Sequence, residues 1–235
     1  MTPDLSFNAG AIKPIECVRE AWELIKSDYW LLFAISIVGA MIAGITVYVL
    51  LGSMVCGIMI CYLKKIDGGQ VKFDDLWVGL KYLVPSIPIV LLFLVPIVVY
   101  FVVMFFTLYS PLIVLAVMGE NNVDPSILLG TFGAAILIDL VVAVVMVTLH
   151  SFIVFAFPLM VDRNLNAVDA IKLSARAALK NVGGIGGLIL VQMGLALLGE
   201  LMLCVGIYLM IPILTATNLV AYRKVFPLHL RYENG

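Results

Sequence analysis

The sequence predicts an all-α integral membrane protein of six transmembrane helices, arranged as three hairpins, each preceded by a juxtamembrane amphipathic helix, with both termini cytoplasmic. Three observations carry this expectation. Over 235 residues, 63% hydrophobic and 12% charged side chains and a mean hydropathy of +1.16 exceed what a soluble core can bury, so a bilayer must be the solvent for most of the chain. The 14 Lys and Arg lie only between the apolar runs, and six spans counted in order put all of them on one side. Amphipathic segments recur at residues 14–28, 73–82 and 168–181, one ahead of each pair of spans.

Taken in order, residues 1–10 show no periodicity. Pro14 then suits a first helical turn, and Ile15, Val18, Trp22, Ile25 and Tyr29 repeat at helical spacing opposite Glu16, Arg19, Glu20, Glu23 and Lys26. Trp22, Tyr29 and Trp30 are side chains suited to the headgroup level. Charges scattered from Asp4 to Asp28 leave no apolar signal core, so the first membrane segment is expected to act as an uncleaved signal. Residues 30–63 carry no charge and would make roughly 50 Å of helix, against about 30 Å of hydrocarbon. A tight hairpin near residues 44–52 accounts for the excess, because it returns Lys64 and Lys65 to the side of Lys13, Arg19 and Lys26.

Asp67-Gly68-Gly69 marks a turn, and Leu76, Trp77 and Leu80 give the next segment a short apolar face. Residues 85–118 form another charge-free run with Pro88, Pro96 and Pro111, which fits either one long span or a span plus a re-entrant segment. The following loop holds Glu120 and Asp124 and no base, as expected on the non-cytoplasmic side. Residues 126–161 exceed one span, so an interfacial start at 127–135 and a span at 136–161 are expected. Residues 183–221 divide near Gly199 and Glu200 into the last two spans, and Arg223, Lys224 and Arg231 end the chain inside. Cys17, Cys56, Cys61 and Cys204 form no C-x-x-C cluster and read as reduced apolar side chains.

The stretch around which the chain is organised is residues 157–182, where an apolar run stops at Asp162 and Arg163 and becomes an amphipathic basic helix. Val168, Ile171, Ala175, Ala178, Leu179 and Val182 share one face, and Lys172, Arg176 and Lys180 form a neighbouring stripe. The first face suits acyl chains and the second anionic headgroups. The layout is threefold, with approximate repeats at 12–65, 70–161 and 166–224 inside a single domain. Ile15, Val18, Arg19, Ala21 and Asp28 align without a gap on Val168, Ile171, Lys172, Ser174 and Asn181, so the repeat is parallel and not inverted.

Two short motifs, V-x-F-D-D-L-W-x-G-L-K at residues 71–81 and P-x-x-x-D-R-x-x-x-x-x-x-A-x-x-x-S at 158–174, resemble a group of bacterial multi-pass proteins. The group includes the YciC-type inner-membrane proteins and the membrane domain fused to some glycerophosphodiester phosphodiesterases. The resemblance implies a bacterial cytoplasmic membrane and no established activity. These residues hold no phosphodiesterase domain, so that chemistry is not carried over.

Candidate polar-cavity residues are Asp139, His150, Gln192, Tyr208, Thr215, Asn218 and Tyr222. His150 falls near the middle of the predicted fourth span, with Asp139 about three turns earlier on the same face, and intramembrane ionisable groups often mark proton or substrate paths. The plainer alternative is a neutral His150 bonded to a neighbouring helix and an Asp139 wetted at the surface. Tyr208, Thr215, Asn218 and Tyr222 make a polar stripe that lines a cavity or bonds between helices, and Gln192 shares that ambiguity. Gly183, Gly184, Gly186 and Gly187 allow close helix approach or a hinge. Asp162 and Arg163 read as a helix end at the interface.

Neither a catalytic cluster, a metal motif nor a cofactor loop is present in the sequence. The expected function is therefore that of a non-enzymatic membrane scaffold or accessory subunit, with Lys172, Arg176 and Lys180 as headgroup contacts; the alternative is a transporter or a lipid- or small-molecule-binding protein. Expected partners are membrane lipids and a larger membrane complex or a homo-oligomer, without nucleic acid.

Overall fold

In a computed structural model, residues 6–118, 124–202 and 205–228 are described, and every regular element among them is helical. The helices are α1 (Pro14–Ile25), α2 (Tyr29–Ile45), α3 (Leu51–Ile66), a 3-10 helix (Phe73–Tyr82), α4 (Ile87–Met118), α5 (Pro125–Phe152), α6 (Ala156–Asp162), α7 (Ala167–Lys180), α8 (Val182–Glu200) and α9 (Val205–Val225). Cys204, Arg231 and most of the acidic loop around Glu120 lie outside the described residues. Two compact units result, one of residues Met1–Val90 with Phe152–Gly235 and one of Leu91–Ser151.

Four helical stretches are long and apolar enough to cross a membrane, namely Ile87–Val117, Ser126–Asp162, Val182–Glu200 and Val205–Val225. A fifth is reached if α1 and α2, bent by 101° at residues 26–28, count as one broken span. At 17 and 16 residues, α2 and α3 are shorter than the about 20 residues a perpendicular span needs.

In the first unit, α2 and α3 form a hairpin on Thr46–Leu50, where Val47 and Tyr48 take the left-handed conformation at φ 49° and 63°. Such backbone costs roughly 1–2 kcal/mol per residue. It is offset locally, since Tyr48 N–H donates to Ala43 O at 2.8 Å and Thr46 Oγ1 donates to Ile42 O at 2.8 Å. Inside the hairpin, buried Ser36 Oγ and Tyr62 Oη share a hydrogen bond of 2.9 Å, so neither hydroxyl is left unpaired.

The 3-10 helix packs backbone to backbone on α3, because both partners are glycine at the crossing. A Cβ on Gly79 would stand 2.7 Å from Gly57 Cα, and one on Gly57 would stand 3.1 Å from Leu76 C. Asp75 fixes the start of this helix by accepting from Lys72 N–H at 2.8 Å and from Lys64 Nζ at 2.9 Å. Thus Asp75, Leu76 and Gly79 of the first motif act in packing, with Leu76 fully buried.

The buried face of α1 shares Ile25 with the apolar repeat and leaves Ile15 and Trp22 outside. Cys17, Ala21 and Ile25 are buried, whereas Ile15 and Trp22 are 76% and 47% exposed. Small residues let α1 lie close to its neighbours, so the larger apolar side chains are turned outward. The glycines after α7 serve a related purpose. A Cβ on Gly184 would stand 2.6 Å from Ile12 Cβ, and one on Gly187 would stand 2.8 Å from Pro14 Cγ, so they admit the N-terminal segment rather than a second spanning helix.

In the second unit, α4 runs without interruption through Pro96 and Pro111, so residues 87–118 are one helix and not a span plus a re-entrant segment. No break separates residues 127–135 from the rest of α5. Helix α5 begins at Pro125 and passes Ala135 unbroken, and the break falls instead at residues 153–155, where Ser174 Oγ accepts from Phe155 N–H at 3.1 Å. Only 6% of the apolar window in each of these two stretches is buried, as expected of helices solvated by lipid.

Candidate functional site

Helix α7 is set up by its first residues. Asn166 Oδ1 accepts from Asp169 N–H at 2.9 Å, and Asn166 Nδ2 donates to Asp169 Oδ2 at 2.7 Å, a reciprocal cap of the orphan first turn. At the other end, buried Asn181 donates to Ala177 O at 2.9 Å and Asn8 O at 3.2 Å, and accepts from Ala11 N–H at 3.1 Å. These bonds tie the N-terminal segment to the α7–α8 junction.

Between its caps, α7 has three sectors. Ala167, Ala170, Leu173, Ser174, Ala177 and Ala178 are buried against protein. Val168, Leu179 and Val182 are exposed, and Ile171 and Ala175 between them are half-buried. Lys172, Arg176 and Lys180 form the third sector, all three exposed and without a hydrogen bond or ion pair among the described residues. The expected apolar face is therefore the outward one, with the exception of Ala178, which belongs to the packed sector. Pairing of the basic stripe with the loop acid Asp75 does not occur, since Asp75 is held by Lys64.

The aligned helix α1 repeats this burial at several positions but not at all, since exposed Glu20 stands where buried Leu173 does. Ala21 and Ser174 are fully buried, Arg19 and Lys172 exposed, Ile15 and Val168 exposed, and Asp28 and Asn181 each precede the next helix as its N-cap residue.

A charged cluster that sequence reasoning missed joins three distant segments of the same unit. Arg223 donates through Nη1 and Nη2 to Asp162 at 2.7 and 2.9 Å, and through Nε and Nη2 to Asp67 at 2.8 and 2.6 Å. Tyr222 Oη donates to Asp162 Oδ2 at 2.7 Å. Beside it lies a cleft of about 320 Å³ lined by Asp67, Lys81, Asp162, Asn164 and Arg223. With both carboxylates already accepting from it, the guanidinium serves as a bidentate staple rather than a free anion site. Arg163 points elsewhere, donating to Ser6 O at 3.2 Å and standing 5.0 Å from the Phe226 ring. The only sequence signal for the staple was Tyr222, read as part of a stripe; Asp67 looked like turn chemistry and Asp162 like a helix end.

The remaining candidates form separate local pairs. Gln192 Nε2 donates to Asn218 Oδ1 at 2.8 Å, linking α8 and α9. Tyr208 is largely exposed and Thr215 half-buried. In the second unit, Thr107 Oγ1 donates to the Asp139 carboxylate at 2.9 Å. His150 has Nε2 3.1 Å from Phe93 O and Nδ1 2.8 Å from Met146 O, with its ring edge-on to Phe93 at 5.0 Å. Along α5, Asp139 sits at the middle of the helix and His150 near its end. Among the described residues, no group of three His, Cys, Asp or Glu side chains could hold a metal ion.

No protein-family model matches the chain, and neither a curated protein nor a solved structure does so.

Proposed function

We propose that this chain is a non-enzymatic scaffold or accessory subunit of the bacterial cytoplasmic membrane, attached to its anionic inner surface by interfacial helices, chiefly α7. In this reading six spans pair as three hairpins, α2 and α3 being short ones, and the termini face the cytoplasm. The even sidedness of the Lys and Arg residues supports the topology. The two motifs at residues 71–81 and 158–174 support the compartment.

The observation that carries the proposal is the three-sector α7. An Ala-rich sector seats the helix on protein, an outward apolar stripe meets acyl chains, and three unpaired cations meet headgroups. Each cation near an anionic surface contributes about 1 kcal/mol, so the stripe supplies about 3 kcal/mol, enough to orient a helix already tethered at both ends. Polar groups that a transporter would need along a path are instead engaged with one another, as in Gln192 with Asn218 and Tyr222 with Asp162.

Purification in mild detergent of the native chain and of a variant with Lys172, Arg176 and Lys180 all replaced by Gln tests the reading. The native chain should retain a stoichiometric membrane protein and anionic lipid, and the variant should retain markedly less anionic lipid while remaining folded. Equal lipid retention by both, or a small solute bound between spans with no protein partner, would overturn it.

A further inference from the structure

We infer that a groove beside α1 and α2 is a site for one phospholipid of the surrounding bilayer, its acyl chain along the apolar wall and its phosphate at Lys26. The groove encloses about 620 Å³, within the range of small-ligand sites. Its walls include Trp22 of α1, Tyr29 and Trp30 of α2, Leu195 of α8, and Leu209 and Ile213 of α9, all within the first unit.

The aromatic wall is ordered by its own contacts. Trp22 meets Tyr29 edge-on at 5.8 Å, and Tyr29 meets Trp30 at 5.4 Å. Tyr29 Oη donates to Leu209 O on α9. The tyrosine is therefore fixed across the groove. Trp22 and Trp30 nevertheless keep much of their rings uncovered by the described protein.

Among the described residues lining the groove, Lys26 alone is charged. Its partner is Glu23, one turn back on the same helix, with both side chains more than half exposed. An exposed pair of this kind is worth little, so the ammonium can exchange to a phosphate. One cation beside an apolar trough, with tryptophans at its rim, complements an amphiphile carrying one anionic head, and the bilayer holds that molecule in excess. The inference rests on the chain being embedded in lipid but not on the α7 stripe, which would meet many headgroups without saturating.

The 235-residue chain with Trp77→Phe, which leaves Trp22 and Trp30 as its only tryptophans, can be titrated in detergent micelles with phosphatidylglycerol bearing brominated acyl chains. Quenching should saturate near one lipid per protein. Lys26→Gln should weaken the apparent affinity about fivefold, the equivalent of one cation near an anionic group. Leu195→Phe, which narrows the groove from α8, should abolish saturation. Quenching that rises linearly with lipid content, or is unchanged by both substitutions, would overturn the site, as would tryptophans shielded from lipid by a second copy of the chain. Should the site fail while the α7 variant still loses anionic lipid, the interfacial reading stands and the groove assignment alone is wrong.

Discussion

Replacing Arg223 by Met should be among the most damaging single changes outside the apolar core. Arg223 joins Asp67, after α3, to Asp162, at the end of α6, through donors on Nε, Nη1 and Nη2. The side chains of Arg223 and Asp162 are 11% and 10% exposed, and that of Asp67 is 26% exposed. Removing the cation takes two charge-assisted hydrogen bonds from the nearly buried Asp162 carboxylate, while Asp67 can turn to water. Breaking a buried pair by deleting one partner costs about 3–5 kcal/mol, and the hydration open to Asp67 sets the expectation near the lower end, about 3 kcal/mol. Arg223→Lys should cost roughly 2 kcal/mol, because a single ammonium cannot serve both carboxylates in a fork. Reversible unfolding in mixed micelles reads these values. Adding Asp67→Asn and Asp162→Asn to Arg223→Met should recover more than half of the loss, since the two carboxylates lose their charge together with the cation that held them. A cost below about 1 kcal/mol, or no recovery in the triple variant, would refute the staple.

Gly79→Ala should destabilise by about 1–3 kcal/mol in the same assay, because the new methyl collides with α3 at Gly57, and an unchanged midpoint would contradict that packing. His150→Ala should cost only about 0.6–1.7 kcal/mol, and loss of a measured proton-coupled flux without unfolding would replace the structural role with a functional one. Burial pushes the Asp75 carboxyl up, but its bonds from Lys64 and Lys72 N–H outweigh this and hold it below its ordinary 3.8. A lowered carboxylate stabilises above its unfolded value and loses that contribution as pH falls through the folded one. The stability difference between the native chain and Lys64→Gln should accordingly stay constant from pH 7 to about 5 and shrink below 3.8; a difference that persists at lower pH would show that Lys64 acts otherwise. Cysteine at Asn122 should react with an impermeant thiol reagent in intact cells and cysteine at Gln70 should not, the reverse pattern ruling out the proposed topology.

Periodicity and charge made the helices and their order readable. The turn near residues 44–52, the division near Gly199 and the helix at residues 73–82 follow from local signals such as glycine, charge and a short apolar face. Exposure on α7 was readable for the same reason, since a lysine or arginine on each turn marks the outward side. The inward side of α1 was not, because hydrophobicity ranks Trp22 above Cys17 and Ala21, whereas close packing selects small side chains and lipid accepts the large ones. Pairing over long sequence separations was also hidden. Asp67, Asp162 and Arg223 each had a sufficient local explanation, and nothing in their spacing brings them together. The break at residues 153–155 likewise depends on Ser174, which lies on another helix.

The central claim is that the outward stripe of α7 rests on anionic lipid. It is tested most directly by an environment-sensitive fluorophore on Leu179→Cys, an exposed position beside the basic sector, in lipid nanodiscs of increasing anionic content. The emission should shift progressively to the blue as anionic lipid is added, and the shift should disappear when Lys172, Arg176 and Lys180 are replaced by Gln. An emission that ignores anionic lipid in the native chain, or a shift of equal size in the folded triple variant, would contradict the account.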